Sequence, residues 1–254
     1  MDKETKYIAS CSFGKDSIAT ILLALEKNEP LDRVVSVEVM FDSERGISGE
    51  IPEHIEWVYG VAIPKLEGMG VKVDMLRSKK GLVQIFNRKF KNAHTKEKHG
   101  MCYGFPSGRG CYMNNEGKVQ TINKYYKDLG KRYDIIQYIG IAADEGKRLA
   151  RLEGNKVSLL AKYGYTEWMA MKLCKEYGLV SPIYDMGTRN GCWFCPNAEI
   201  ERYISIRKNH PTLWNELKEL DKEPNRWYKY FKYNKTLSDV ERMMDDIESQ
   251  LTLF

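Results

Sequence analysis

Two groups of residues in this 254-residue chain have the types and spacing to do chemistry. The first is Ser12-Phe13-Gly14-Lys15-Asp16-Ser17, which follows the short apolar run Tyr7-Ile8-Ala9-Ser10-Cys11 and opens a stretch of helix formers reaching Leu25. A strand that turns through small residues into a helix makes an anion site. The first N–H groups of the helix have no intrahelical acceptor, and the helix dipole adds partial positive charge there. Gly14 lets the backbone approach a phosphate, Lys15 brings a full charge, and Ser12 and Ser17 bring hydroxyls. Asp16 suits either a helix cap or a magnesium ion. The spacing is neither the Walker pattern nor Gly-x-Gly-x-x-Gly. The plainer alternative is a polar turn that caps a helix.

The second group is four of the six cysteines. Cys192-Trp193-Phe194-Cys195-Pro196 is a Cys-x-x-Cys turn, and Cys102 and Cys111 flank Gly104-Phe105-Pro106. Two thiolates at that spacing can grip one metal, and two such pairs suit tetrahedral zinc or a 4Fe-4S cluster, which spacing does not tell apart. A thioredoxin-like redox pair at Cys192 and Cys195, or plain cytosolic thiols, are the alternatives. Cys11, in the first strand, and Cys174, in an amphipathic helix over residues 166–177, read as core.

The elements that must position these groups follow from periodicity. Tyr7 to Cys11, Arg33 to Val39, Val71 to Leu76 and Ile135 to Ile141 read as strands. Helices are expected over 17–25, 51–70 (kinked or divided at Pro64), 121–132 and 237–251. Alternating strands and helices predict an α/β fold: a parallel twisted sheet with helices on both faces, followed by a helical C-terminal extension. Residues 79–118, rich in Gly, Lys and Arg, read as a long irregular segment, and such segments are usually functional or mobile. The expected domains are a nucleotide-binding domain over 1–185 and, over 186–254, the Cys-x-x-Cys segment with a helical extension packed on it.

The loop resembles the PP-loop, Ser-Gly-Gly-Lys-Asp-Ser, of the adenine nucleotide alpha hydrolase-like (HUP, Rossmann-like) superfamily of ATP pyrophosphatases and PAPS reductases. Phe13 departs from the second glycine. Other segments are similar to PAPS reductase-like proteins. Asp42, in Met40-Phe41-Asp42-Ser43, stands where the family carries an acidic residue near the nucleotide, and Gly104-Phe105-Pro106 with Arg109 and Cys111 resembles Gly-x-Pro…Cys-Thr. Gly140-Ile141-Ala142-Ala143-Asp144-Glu145 with Arg148 resembles Gly-Ile-Arg-x-x-Glu-x-x-Arg, with Ala142 replacing an arginine. Pro182-Ile183-Tyr184-Asp185 is similar to Pro-Ile-x-Asp. The four cysteines resemble those of DNA phosphorothioation sulfurtransferases that hold a 4Fe-4S cluster.

The resemblance implies ATP, or a PAPS-like adenine nucleotide, bound with Mg²⁺ by Ser10, Ser12, Phe13, Gly14, Lys15, Asp16, Ser17, Arg109, Gly140, Glu145 and Arg148. Lys15, Asp16 and Asp42 would be catalytic. Cys102, Cys111, Cys192 and Cys195 would hold the cluster or, alternatively, Zn²⁺. The implied reaction is cleavage at the α-phosphate to adenylate an acceptor, followed by sulfur transfer. Two rivals are a PAPS or adenylyl-sulfate reductase, and a nucleotide- or nucleic-acid-binding regulator with a structural metal and no turnover. No cysteine follows Cys195, which speaks against the C-terminal nucleophile of true PAPS reductases. As simpler alternatives, Asp42 is a turn former, and Arg148 with Arg151 a solvated helix face.

Net charge is +5, compatible with phosphorylated or nucleic-acid partners without requiring them. The run Arg226-Trp227-Tyr228-Lys229-Tyr230-Phe231-Lys232-Tyr233-Asn234-Lys235, with Arg88-Lys89-Phe90-Lys91, Lys96, Lys98 and His99 in support, would suit base stacking. Aromatics at that density more often pack a helix onto a core. A sulfur-donor protein and a second copy of the chain are the other partners considered. No apolar run nears the roughly 18 residues of a membrane span and the N-terminus is polar, so a cytoplasmic protein without membrane association is expected.

Overall fold

The computed structural model describes residues 3–91, 95–105, 111, 113–185 and 191–251. In chain order they form strand β1 (Thr5–Ser10), helix α1 (Lys15–Glu26) and strands β2 (Arg33–Glu38), β3 (Met40–Asp42) and β4 (Ile47–Ser48). Helices α2 (Pro52–Trp57) and α3 (Ile63–Gly68), joined by a π turn (Val58–Ala62), precede β5 (Val73–Arg77). Next come α4 (Leu82–Phe86), β6 (Cys102–Gly104), a second π turn (Met113–Val119), α5 (Gln120–Leu129), β7 (Asp134–Ile139) and α6 (Gly146–Leu149). The remainder is β8 (Lys156–Val157), α7 (Leu159–Lys162), α8 (Glu167–Glu176), a 3₁₀ turn (Pro182–Tyr184), α9 (Ile200–Asn209), α10 (Pro211–Asp221), β9 (Arg226–Tyr228) and α11 (Leu237–Leu251).

The chain divides into two units. The first is Met1–Glu38, Ile51–Arg77 and Gln120–Asn190; the second is Val39–Glu50, Ser78–Val119 and Gly191–Phe254. Residues 39–50 and 78–119, assigned by sequence to the nucleotide domain, thus group with the C-terminal segment.

The first unit is the α/β layer. Its five strands are all parallel, in the order β5-β2-β1-β7-β8. Interior β2 is buried from Val34 onward, the continuous burial of a strand covered on both faces. Helix α1 is buried from Ser17 to Ala24, and Ile18, Ile21, Leu22 and Leu23 join Leu159, Leu160, Ala170, Leu173 and Cys174 in one core. Strand order reverses at β1, with β2 on one side and β7 on the other. The loops after β1 and β7 therefore flank a topological switch point, where open parallel sheets take ligands.

The helix expected over 51–70 is present but not pure α. Pro64 stands in the first turn of α3, and its missing N–H is accommodated by the preceding π turn. The strand expected to run to Val39 stops at Glu38, and Met40 begins a separate strand.

The second unit has little sheet: the antiparallel pair β3–β4 and the parallel pair β6–β9. Its core is aromatic. Phe41 packs on Trp193 and Phe194, and Phe105 packs on Phe86 and Phe231. Residues 79–118 are not wholly irregular: α4, β6 and a π turn fall within them. Among the described residues no helix is long and apolar enough to cross a membrane.

Candidate nucleotide loop and thiol cavity

The turn from β1 to α1 is braced from inside. Ser17 is buried, and its Oγ donates to the Gly14 carbonyl at 2.9 Å while accepting from the Ser12 N–H at 3.3 Å. This hydroxyl, expected to meet ligand, ties the loop's two ends instead; the Ser12 side chain is the exposed one. The Phe13 N–H points to the Cys11 sulfur at 3.2 Å. Phe13 itself has φ +55°, in the left-handed region, and its ring is 2 % exposed. The position thus needs a glycine-like backbone, and burial of the ring offsets a strain of about 1–2 kcal/mol. The ring is part of the core, which explains why a large residue is tolerated at that place.

Gly140, just past β7, seats this turn. A Cβ there would lie 2.7 Å from the Ser17 nitrogen and 2.8 Å from the Asp16 carbonyl carbon, so only glycine lets the two loops touch. Ser10, at the end of β1, hydrogen-bonds Tyr126 across 2.7 Å. Among the described residues no acceptor is paired with the N–H groups of Gly14, Asp16 or Ser17, which remain the open donors of the α1 terminus.

Lys15 is clamped by carboxylates. Its Nζ lies 2.8 Å from Asp16 and 2.7 Å from Glu167. Burial alone would lower its pKa, but the hydrogen bonds it donates to the two carboxylates outweigh burial and raise it. The Asp16 carboxyl is also pushed up: burial, with the nearby charges of Glu167 and Glu145, exceeds the pull of Lys15. Glu167 starts α8, whose N-terminus is held by the Asp144 carboxylate on the Glu167 N–H and by the Thr166 side chain on the Met169 N–H. Glu145 accepts from the Ala142 N–H at 3.1 Å and from Arg148 at 2.5 Å; burial opposes its ionisation, and these donors still hold it below the usual range. Arg148 is half exposed, and Arg151 is exposed as well.

Thiols gather in the second unit. Cys111, Cys192 and Cys195 line one cavity, otherwise walled by apolar residues such as Leu82, Met113, Phe194 and Phe231. The Cys-x-x-Cys turn closes with the Cys195 N–H on the Cys192 carbonyl at 3.1 Å, and Arg202 donates to the Gly191 and Cys192 carbonyls. Burial, then the neighbouring Glu50, Cys195 and Cys111, push the Cys192 thiol well above its ordinary range. Cys102, expected as the fourth ligand, is not on this wall. It begins β6, buried, with its N–H on the Asn225 carbonyl. Among the described residues no three His, Cys, Asp or Glu side chains stand in metal-holding geometry.

Asp42, also of the second unit, has its carboxylate saturated. It accepts from the Glu44 N–H, the Arg45 N–H, Arg45 Nε and Gln84 Nε2, contacts that serve a turn. Burial opposes its charge, but these donors bring its pKa down to about 2. Arg109 lies outside the described residues.

No family model matches the chain. It is 23% identical over 214 residues, 80% of its length, to an uncharacterized protein of Methanocaldococcus jannaschii, MJ0066, and spans only 38% of that relative. Among solved structures it is similar to the U34-tRNA thiolase NcsA from Methanococcus maripaludis, which carries a 4Fe-4S cluster. There the TM-score is 0.43 at 15% identity, covering 97% of this chain and 82% of that one.

The basic-aromatic run is mostly committed to structure. Tyr228 packs on Tyr103, Phe231 is buried, and Lys232 donates to the Pro196 and Ala198 carbonyls. Arg226 is tied to Asp221, and Arg88 to Glu116. Tyr230 and Tyr233 stay exposed, with Lys229 between Tyr228 and Tyr230. Sequence reasoning missed Glu167 and Tyr184, whose hydroxyl accepts from the Lys15 N–H at 2.9 Å. Neither lies near the loop in sequence. Cys174, read as core, does lie in the core, and its thiol, pushed up to about 12 by burial, donates to the Lys15 carbonyl.

Proposed function

We propose that the chain is a PP-loop enzyme that binds ATP, or a related adenine nucleotide, on residues 12–17 and cleaves it between the α- and β-phosphates to adenylate an acceptor for sulfur transfer. The observation that carries this reading is the turn itself. It joins the C-terminal end of the central parallel strand to a helix whose Asp16 and Ser17 N–H groups are open, with Lys15 on its first turn and Gly140 pressed against its backbone.

In this reading an acceptor oxygen attacks the α-phosphorus, and pyrophosphate leaves with the electron pair of the broken P–O bond. Negative charge grows on the non-bridging oxygens, where the N–H groups of Asp16 and Ser17 and the Lys15 ammonium are the donors that meet it. Lys15 must exchange Glu167 for phosphate to do so. Asp16 is the loop carboxylate available to Mg²⁺, whose charge would shield the phosphates. A sulfur nucleophile then displaces AMP from the adenylated acceptor.

Three thiols around one cavity supply the donor chemistry a soft metal requires, so Cys111, Cys192 and Cys195 are the residues that would hold a 4Fe-4S cluster or Zn²⁺. A cluster would bind or relay sulfur, whereas zinc would be structural. The test of the function is incubation with Mg²⁺ and ATP, with water taking the acceptor's place at the α-phosphorus: AMP and pyrophosphate should appear, and Lys15→Ala should abolish them. Unchanged release by that variant would sink the mechanism.

A further inference from the structure

The first N–H of α1 is not open. It belongs to Lys15 and is already given to the phenol oxygen of Tyr184, at 2.9 Å. An oxygen that accepts this bond keeps its own O–H proton, and no acceptor for that proton is found among the described residues. Burial holds the Tyr184 phenol above its ordinary pKa, so the proton stays on at neutral pH.

The 3₁₀ turn that carries Tyr184 is anchored for this placement. Ile183 is fully buried, and the preceding Ser181, 1 % exposed, bonds through its Oγ to Nδ1 of the buried His54 at 2.8 Å. Helix α2 thereby holds the turn against the loop. His54 and Ser181 have no other evident part in the site, and their pairing has a use if Tyr184 must stand at one place.

We infer that Tyr184 is a binding residue of the phosphate site: its oxygen takes the Lys15 N–H, and its hydroxyl proton is donated to a phosphate oxygen of the bound nucleotide. The inference rests on the reading of residues 12–17 as the nucleotide site. The phenol extends the reach of a backbone donor from the helix terminus outward, and accepting from that terminus polarises the O–H toward an anion.

The experiment is calorimetric titration of the full chain and of Tyr184→Phe with Mg²⁺–ATP and, separately, with adenosine. Loss of a hydrogen bond to a charged group, partly repaid by the freed Lys15 N–H, should weaken ATP binding about tenfold. Adenosine, which has no phosphate, should bind both proteins alike. Equal or tighter ATP binding by Tyr184→Phe would overturn the inference, the tighter result marking the phenol as a plug. Equal losses for ATP and adenosine would also overturn it, because they indicate a structural role. If the unmodified chain binds adenosine but not ATP, or neither, the nucleotide reading itself falls and this inference with it.

Discussion

Replacing Gly140 with alanine puts one methyl group into the contact between the loop after β7 and the start of α1. The added Cβ would stand 2.7 Å from the Ser17 nitrogen and 2.8 Å from both the Asp16 carbonyl carbon and the Ser17 Cα. Carbon atoms rest at about 3.5–4.0 Å, so the gap must open by roughly 0.7–1 Å. All three neighbours are backbone atoms of the first helical turn and cannot swing aside as a side chain can. Forcing a methyl group into a packed site costs about 1–3 kcal/mol. In a chain of this size that lowers Tm by about 2–4 °C per kcal/mol. Function should suffer more than stability, because a donor displaced by about 1 Å can lose on the order of 10²-fold in rate. The assay is AMP formation beside a thermal melt, with Gly146→Ala as control; a Cβ at Gly146 meets nothing within 4 Å. A Gly140→Ala protein with wild-type melting and wild-type turnover would refute the argument that this contact shapes the site.

Phe13 offers a second test of the loop. Phe13→Ala and Phe13→Gly both forfeit the buried ring, at about 3–5 kcal/mol, but only glycine relieves the positive φ. Urea unfolding should therefore find the glycine variant more stable than the alanine variant by about 1 kcal/mol, the reverse of the usual order. For the thiols, protein purified anaerobically should carry iron or zinc that is lost in Cys111→Ser, Cys192→Ser and Cys195→Ser but kept in Cys102→Ala. Metal analysis with visible absorbance reads this, and metal loss in Cys102→Ala would restore the four-cysteine site. Asp42 ties stability to acid pH. Its carboxyl is depressed from 3.8 to about 2, so its contribution of about 2 kcal/mol is full above pH ~4 and lost as pH falls toward ~2. Unfolding free energies measured across that window should fall less steeply in Asp42→Asn, and parallel curves would exclude the effect.

Local patterns were enough to read most of the first unit. The turn at residues 12–17, helix α1 and the four principal strands of the sheet show in runs of apolar and β-branched residues, because each buries its own face. Strand ends were misjudged by one or two residues, as at Glu38, where a separate short strand follows. The second unit was harder to read. Strand β6 has only three residues and pairs with β9, whose residues lie more than 120 positions away, so periodicity within either segment gives no warning. The same holds for chemistry. Lys15 and Asp16 announce themselves by type and spacing, whereas Glu167 and Tyr184 reach the loop from α8 and the 3₁₀ turn. Cys102 looked equivalent to Cys111 in sequence, but it begins β6 and is not among the residues that line the cavity. The left-handed Phe13 was visible as an odd residue in the loop, but its ring's place in the core was not.

If the loop at residues 12–17 directs cleavage of ATP at the α-phosphate, the products name the bond that breaks. Phosphorus NMR of a reaction containing the protein, Mg²⁺ and ATP, with water as the nucleophile in place of the acceptor, reads the cleavage position directly. AMP and pyrophosphate should form in equal amounts and be absent with Lys15→Ala. Accumulation of ADP and inorganic phosphate, or ATP left intact while bound, would contradict it.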